Sequence, residues 1–304
     1  MTQAGAEATP RTTSLWWNLL GVAMSVGLVV AIVLQLGGAT AEVLKTIRQL
    51  PPLVWPMLVL LYLTQPLCDF AVFRRLWNLP LAGVDALLRK TVINEVVLGY
   101  SGEAYLYVWA RRAVGDKAFA AIKDVNIISA LLSNLLTLVL AAISVTQLRE
   151  LDFVQRVGPA LWSGLVPVAI SMGALLFGRK VFSLPVADLA HVSLVHGLRL
   201  VVSTALVVLI WRLALPEVVS SLWIVLLAIR YLISRIPVMS NKELVFGNLM
   251  LLLLGAHASV AMLQAALGLV TLGLHLAVVI GLGAAGLVRR LRGAKPLAPA
   301  HGSA

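Results

Sequence analysis

The feature that most constrains this chain is a series of apolar blocks, each about 20 residues long, which recur along its whole length. An α-helix rises 1.5 Å per residue, so a block of about 20 residues covers the roughly 30 Å hydrocarbon core of a bilayer. Only 12% of the residues are charged, against about 25% in a soluble domain, and the mean hydropathy is +0.96. The pattern therefore predicts an all-α fold, a polytopic bundle of membrane helices.

The blocks predict about eight spanning helices in one transmembrane domain over residues 15–292. The predicted spans are Leu15–Leu36, Leu53–Phe73, Ile127–Thr146, Pro159–Gly178, His191–Leu215, Val218–Val238, Leu249–Leu267 and Thr271–Val288. Residues 1–14 and 293–304 are rich in small and polar residues without periodicity, so we expect two disordered tails.

A further apolar stretch, residues 92–110, is interrupted by Asn94, Glu95 and Glu103 and by two glycines. It fits either a poor spanning helix or a re-entrant hairpin that enters and leaves the membrane on one side. If it is a hairpin and the N-terminus is cytoplasmic, 18 of the 24 basic residues lie on the cytoplasmic side. This agrees with the positive-inside rule. We therefore expect a hairpin over about 92–110 in a protein of the cell (inner) membrane with both termini cytoplasmic.

Three predicted spans carry polar residues at helical spacing, so that each set lies on one face. Polar groups inside a membrane cost free energy and usually face protein or a water-filled cavity. Serine and asparagine can also simply hydrogen-bond a neighbouring helix, which is the alternative interpretation. The candidate cavity-lining residues are Gln65, Asp69, Asn126, Ser133 and His196.

Arg199 is the least expected of the residues within a span, because a lone cation at depth costs on the order of 2.5 kcal/mol or more. It needs a carboxylate partner, for which Asp69, Glu95 and Glu103 are the candidates, or an anionic ligand. With the predicted topology, Gln65, Ser133 and Arg199 all lie roughly 9–12 Å below the inner surface. The sequence thus predicts a polar cavity open to the cytoplasmic side.

Metal and nucleotide chemistry find no support in the sequence. Cys68 is the single cysteine, and the five histidines show no metal-ligand spacing. No P-loop or dinucleotide fingerprint occurs, so we expect no cofactor and no metal. The net charge of +11 is explained by basic residues that lie beside the cytoplasmic lipid headgroups, rather than by binding to nucleic acid.

Residues 94–112, NEVVLGYSGEAYLYVWARR, contain an Asn, a turn with Gly99, the pair Gly102-Glu103 and two arginines. In these elements the chain resembles the membrane region of the lysylphosphatidylglycerol synthase and flippase-like family. A second matching region, residues 230–246, has Pro237 and Glu243 but lacks the glycines that the family carries between them. The resemblance implies two embedded hairpins, the second over about 230–248, and movement of an amphipathic lipid between leaflets.

The resemblance and the charge pattern together suggest a set of substrate-binding residues. In this interpretation arginines hold a phosphate, and glutamates gate it or meet a cationic group. Arginines near a helix end can instead reach the membrane surface without any ligand, which leaves Arg230 and Arg235 open. The candidates are Asn94, Glu95, Gly102, Glu103, Arg199, Arg230, Arg235 and Glu243. The expected partners are a membrane lipid, of phospholipid, polyprenyl-phosphate or hopanoid type, and enzymes of lipid biosynthesis, whereas no enzymatic activity is expected of the chain itself.

Two other functions remain open at this point. Gly99-Tyr100-Ser101-Gly102 matches the G-x-S-G around the nucleophile of rhomboid-type intramembrane serine proteases, and His257 in a later span could serve as the base. No His-x-x-x-Asn pair precedes it to build an oxyanion site. The other alternative is a non-transporting scaffold in a lipid-biosynthesis complex.

Overall fold

The structure is a computed structural model that describes residues 41–97, 99–148, 181–235, 241–254 and 259–292, all within one compact unit, Thr40–Ala304. Every regular element in these ranges is helical. The α-helices are α1 Ala41–Gln49, α2 Val54–Trp77, α3 Val84–Val96, α4 Ser101–Val114, α5 Lys117–Leu148, α6 Val186–Ala214, α7 Ser220–Ser234, α8 Lys242–Leu254 and α9 Ser259–Leu291, with a 3-10 turn at Leu81–Gly83 before α3.

Four helices among the described residues are long and apolar enough to cross a membrane. They are Val54–Trp77, Lys117–Ser144, Val186–Ala214 and Ser259–Val288. The predicted spans Leu15–Leu36 and Pro159–Gly178 lie outside the described residues. The all-helical class is therefore confirmed for the described part of the chain, whereas the count of about eight spans is not.

Helix α6 distributes its apolar and polar side chains as expected of a helix with one face toward lipid. Leu194, Leu198 and Val201 lie on one face with exposed fractions of 71%, 61% and 67%. His196 on the same helix is buried, and Arg199 is partly buried. A surface helix of a soluble protein places its apolar residues inward and its charges outward. This reversed arrangement, together with the four apolar helices, indicates a membrane location.

The predicted boundary between the last two spans is wrong. Instead of Leu249–Leu267 and Thr271–Val288, α9 runs without a break from Ser259 to Leu291, and Leu249 belongs to α8. Gly268, in the gap between the predicted spans, lies inside α9, where an added Cβ would come within 2.9 Å of the Glu243 carbonyl oxygen. The glycine thus allows α8 and α9 to approach closely, rather than ending a helix.

Two pairs of consecutive helices are too short to span a membrane. Helices α3 and α4 have 13 and 14 residues, and α7 and α8 have 15 and 13. Each is therefore about 20 Å long, short of the roughly 30 Å hydrocarbon core. The described part of the predicted span Val218–Val238 contains the short helix α7, Ser220–Ser234. Helix α3 also begins at Val84, before the expected start of the first hairpin at residue 92.

The turn between α3 and α4 has a specific local cause. The Gly102 N–H donates a hydrogen bond to the Asn94 side-chain oxygen at 2.7 Å, and Ser101 Oγ donates to the Ile93 carbonyl at 3.3 Å. A Cβ on Gly102 would lie 2.2 Å from the Lys90 carbonyl oxygen. Tyr100 takes a positive φ of 71° just before the helix begins. The sequence Asn94…Gly102 therefore closes α3 and α4 into a tight helical hairpin.

The two hairpins enter the bundle from opposite ends. Helices α2 and α6 pack antiparallel, since Arg75 near the end of α2 pairs with Asp188 near the start of α6 at 2.9 Å. Hairpin α3–α4 follows the end of α2, and hairpin α7–α8 follows the end of α6. The two ends lie at opposite sides of the bundle. The hairpins nevertheless contact each other, since the Asn241 N–H donates a hydrogen bond to the Glu95 carbonyl at 2.5 Å.

The helix order long, short, short, long occurs twice, as α2–α5 and again as α6–α9. The packing shows the same correspondence between the two sets of helices. The last helix of each set contacts the first two helices of the other set: α5 contacts α6 and α7, and α9 contacts α2 and α3. The correspondence is incomplete, because the backbones of α2 and α3 approach closely, whereas those of α6 and α7 come close at few positions. With α2 and α6 antiparallel, this is the arrangement of an inverted-topology repeat.

Apolar packing holds the second hairpin against α6. The rings of Trp211 on α6 and Trp223 on α7 lie 5.3 Å apart, and Phe246 on α8 lies 6.3 Å from Trp211. All three side chains are almost completely buried. A separate cluster with Phe73, Leu87 and Leu106 at its centre holds the first hairpin against α2. Apolar packing thus holds the described helices of both hairpins against the long helices α2 and α6.

Candidate functional site

A cavity of about 590 Å³ lies where the two hairpins meet, and helices α2 to α9 all contribute to its wall. Its polar side chains come from the middle of the long helices and from the hairpin tips. Tyr100, at the first tip, lines the cavity and is 61% exposed. The cavity therefore reaches the surface of the described part of the protein beside this tip.

The wall brings together twelve of the thirteen residues that the sequence singled out. They are Gln65, Asp69, Asn94, Glu95, Glu103, Asn126, Ser133, His196, Arg199, Arg230, Arg235 and Glu243. The exception is Gly102, which packs behind the wall against Lys90 and Asn94. That these residues bind a substrate stays a prediction.

The position of Arg199 along its helix differs from the predicted one. Helix α6 begins at Val186 rather than at His191, so Arg199 lies about 20 Å from either end of the helix. Arg199 is thus near the middle of the helix rather than eight residues from its start. Its depth in a membrane stays a prediction.

A buried ion cluster connects α2 with the first hairpin. Lys90 Nζ donates to Asp69 Oδ2 at 2.7 Å and lies 3.5 Å from Glu103 Oε1. The side chain of Lys90 is 5% exposed and that of Asp69 is completely buried. Gln65 Nε2 donates to the other Asp69 oxygen at 2.8 Å. Asp69 therefore has its charge and its hydrogen bonds satisfied by named partners.

A second ion pair occupies the matching place in the other hairpin. Arg230 on α7 donates from Nε to Glu243 Oε2 at 3.1 Å and from its terminal nitrogen to the other carboxylate oxygen. Lys90 and Glu103 are thirteen residues apart, and so are Arg230 and Glu243. In both hairpins a cation of the first helix thus pairs with a glutamate in the first turn of the second. Arg230 and Glu243 thus neutralise each other, whereas Glu103 keeps one buried carboxylate oxygen without a hydrogen-bond partner among the described residues.

Arg199 and Arg235 have only neutral hydrogen-bond partners. Arg199 donates to the Gln65 side-chain oxygen and to Ser129 Oγ at 3.3 Å, and Arg235 donates to Asn134 Oδ1 at 3.4 Å. Within the described ranges, neither guanidinium lies within ion-pair distance of a carboxylate. The partner expected for Arg199 among Asp69, Glu95 and Glu103 is therefore not in contact with it.

Some residues of the wall were missed or misjudged from the sequence. Lys90 and Lys242 both belong to the 18 basic residues that the sequence assigns to the cytoplasmic side. The position of Lys90 four residues before Asn94 nevertheless places both on one helix face. Lys242 Nζ donates to the Ser234 carbonyl at 3.2 Å. No sequence pattern pointed to His275 as a residue of the cavity. It accepts or donates a 3.0 Å hydrogen bond with Tyr62, depending on its tautomer.

The serine-protease interpretation has little geometric support. Ser101 donates its hydroxyl hydrogen bond to the Ile93 carbonyl at the hairpin turn, where the bond helps close the turn. His257, the expected base, lies outside the described residues. In the described part of the chain, no group of three or more His, Cys, Asp or Glu residues is arranged to hold a metal ion.

No protein-family model matches the chain, and neither does any curated protein or solved structure. The resemblance to the flippase-like family therefore stays a prediction.

Proposed function

We propose that this chain is a multi-pass membrane protein that moves an anionic or amphipathic lipid between leaflets through the polar cavity. The observation that carries this proposal is a cationic cavity at the middle of helices whose outer faces are apolar. A headgroup cannot cross hydrocarbon cheaply, whereas lipid tails need not leave it. Such a cavity solvates the headgroup while the tails stay in the bilayer.

The arrangement of the helices supports transport over a static scaffold. Inverted repeats with broken helices that meet near the middle of the membrane are typical of secondary transporters, whose substrate sites lie at the interface between the repeats. Here the tips of the two hairpins meet at Asn241 and Glu95, and the cavity lies beside them. Because the hairpins enter from opposite ends, movement of either one would open the cavity toward a different side.

The direct test is translocation by the purified protein in liposomes. Vesicles carry a trace of lipid with a fluorophore on one tail, and dithionite quenches only fluorophores in the outer leaflet. We expect quenching to proceed beyond the outer-leaflet fraction when the labelled lipid has an anionic headgroup. The assay is run with phosphatidylglycerol, phosphatidic acid and polyprenyl phosphate, each with and without a proton gradient.

Variants at the cavity separate transport from leakage. We expect Arg199→Ala and Glu103→Gln to slow translocation about tenfold or more, because a hydrogen bond to a charged group contributes about 1.5–3 kcal/mol. Arg212→Ala is the matched control, since Arg212 is exposed on the same helix as Arg199. Wild-type vesicles that behave like protein-free vesicles with every lipid would refute transport and favour the scaffold.

A further inference from the structure

The cavity wall has an excess of positive charge. Its described residues include five cations, Lys90, Arg199, Arg230, Arg235 and Lys242, and four carboxylates, Asp69, Glu95, Glu103 and Glu243. Lys90 is held between Asp69 and Glu103, and Arg230 is paired with Glu243. Arg199, Arg235 and Lys242 have no carboxylate within ion-pair distance among the described residues. Lys242 donates to the Ser234 carbonyl, whereas the two arginines donate to neutral side chains.

The two guanidinium groups lie against the same stretch of α5. Arg199 donates to Ser129 and Arg235 donates to Asn134. These two α5 residues are five positions apart, which is about 7.5 Å along the helix axis. Both arginines also line the same cavity, so their positive charges act unfavourably on each other, and an anion near both relieves that repulsion.

The hydrogen bonding of Arg199 is also incomplete. Its Nε is buried and has no hydrogen-bond partner among the described residues. A buried donor without an acceptor costs free energy, about 1–3 kcal/mol. Its two terminal nitrogens are already engaged with Gln65 and Ser129. A ligand with several acceptor oxygens would satisfy the remaining donor.

We propose that Arg199 and Arg235 form a phosphate-binding site, and that the lipid moved by the protein carries a phosphate in its headgroup. A guanidinium group presents planar, paired donors that match phosphate oxygens. The first turns of α4 and α8 contribute Glu103, Lys242 and Glu243 to the cavity wall, and the positive ends of their helix dipoles favour an anion there. The lipid part of this inference rests on the proposed function, whereas the phosphate site does not.

Binding is measured by isothermal titration calorimetry with the full chain in a non-ionic detergent. The probes are dihexanoyl phosphatidic acid, inorganic phosphate and dihexanoylglycerol, which has the same tails without a phosphate. We expect phosphatidic acid to bind at least about tenfold more tightly than dihexanoylglycerol, with an affinity that falls as salt is added. If inorganic phosphate binds and phosphatidic acid does not, the site takes a free anion and the lipid assignment is refuted.

Variants assign the site to the two arginines. Arg199→Gln and Arg235→Gln should each weaken phosphatidic acid binding about tenfold or more, and Arg212→Gln should leave it unchanged. Arg235→Gln is the decisive variant if Arg199→Gln does not fold, because Arg235 contacts only neutral residues near a hairpin tip. Wild-type affinity in folded Arg235→Gln would overturn the proposal. Normal phosphate binding without any translocation would refute the proposed function alone.

Discussion

Replacement of Lys90 by methionine tests whether the buried ion cluster is held by the mutual charge of its members. Methionine has a similar length, so the change removes the ammonium group and leaves most of the packing. Asp69 is completely buried and would then lose the cation 2.7 Å from its carboxylate. Breaking a buried ion pair by removing one partner costs about 3–5 kcal/mol, since the remaining charge has neither water nor a counter-ion.

The same structure contains an exposed pair for comparison. Arg75 and Asp188 lie 2.9 Å apart, and their side chains are 46% and 28% exposed. An exposed pair contributes about 0–1 kcal/mol, so Arg75→Met should change stability much less than Lys90→Met. The free energy of unfolding is measured for both variants by SDS titration in mixed micelles, with tryptophan fluorescence as the signal.

A double variant distinguishes lost charge from lost packing. Asp69→Asn combined with Lys90→Met removes both charges of the 2.7 Å pair. We expect it to be more stable than Lys90→Met alone, because the stranded carboxylate is gone. The reasoning is refuted if Lys90→Met costs no more than Arg75→Met. It is refuted as well if the double variant loses the full sum of the two single losses.

Three further predictions concern the hairpins and their ends. Gly102→Ala should lower the free energy of unfolding by about 1–3 kcal/mol through overpacking, whereas Gly197→Ala, with open space around it, should not. Asp124→Ala should cost about 1–3 kcal/mol, because its carboxylate accepts two backbone N–H groups before α6, and exposed Asp116→Ala should be neutral. In a cysteine-free background, Asp116→Cys and Glu217→Cys should react with an impermeant maleimide from opposite sides of the membrane; labelling from one side would contradict the opposed hairpins.

The membrane character of this chain could be predicted from the sequence alone. Hydropathy is a sum over neighbouring residues, so a block of about 20 apolar residues already predicts a spanning helix. Three of the predicted spans correspond to α2, α5 and α6. Most of their predicted ends lie within five residues of the helix ends, but α5 begins ten residues earlier than predicted. The polar positions Gln65, Asn126 and Arg199 followed from helical spacing in the same way. Each of these inferences depends on residues that are close together in the chain.

What the tertiary structure decided depends on residues that are far apart in the chain. Hydropathy could not predict that Gly268 lies inside α9, where it contacts Glu243 of α8 closely. A glycine contributes the same hydropathy at a helix end and at a close contact between two helices. Charge counting could not tell that Lys90 faces Asp69, 21 residues away on another helix. The opposed hairpins follow from the antiparallel packing of α2 and α6, and no local pattern encodes that packing. The sequence determined the apolar, helical character of the segments, and long-range packing decided which charges of the cavity wall are paired and which of its arginines have only neutral partners.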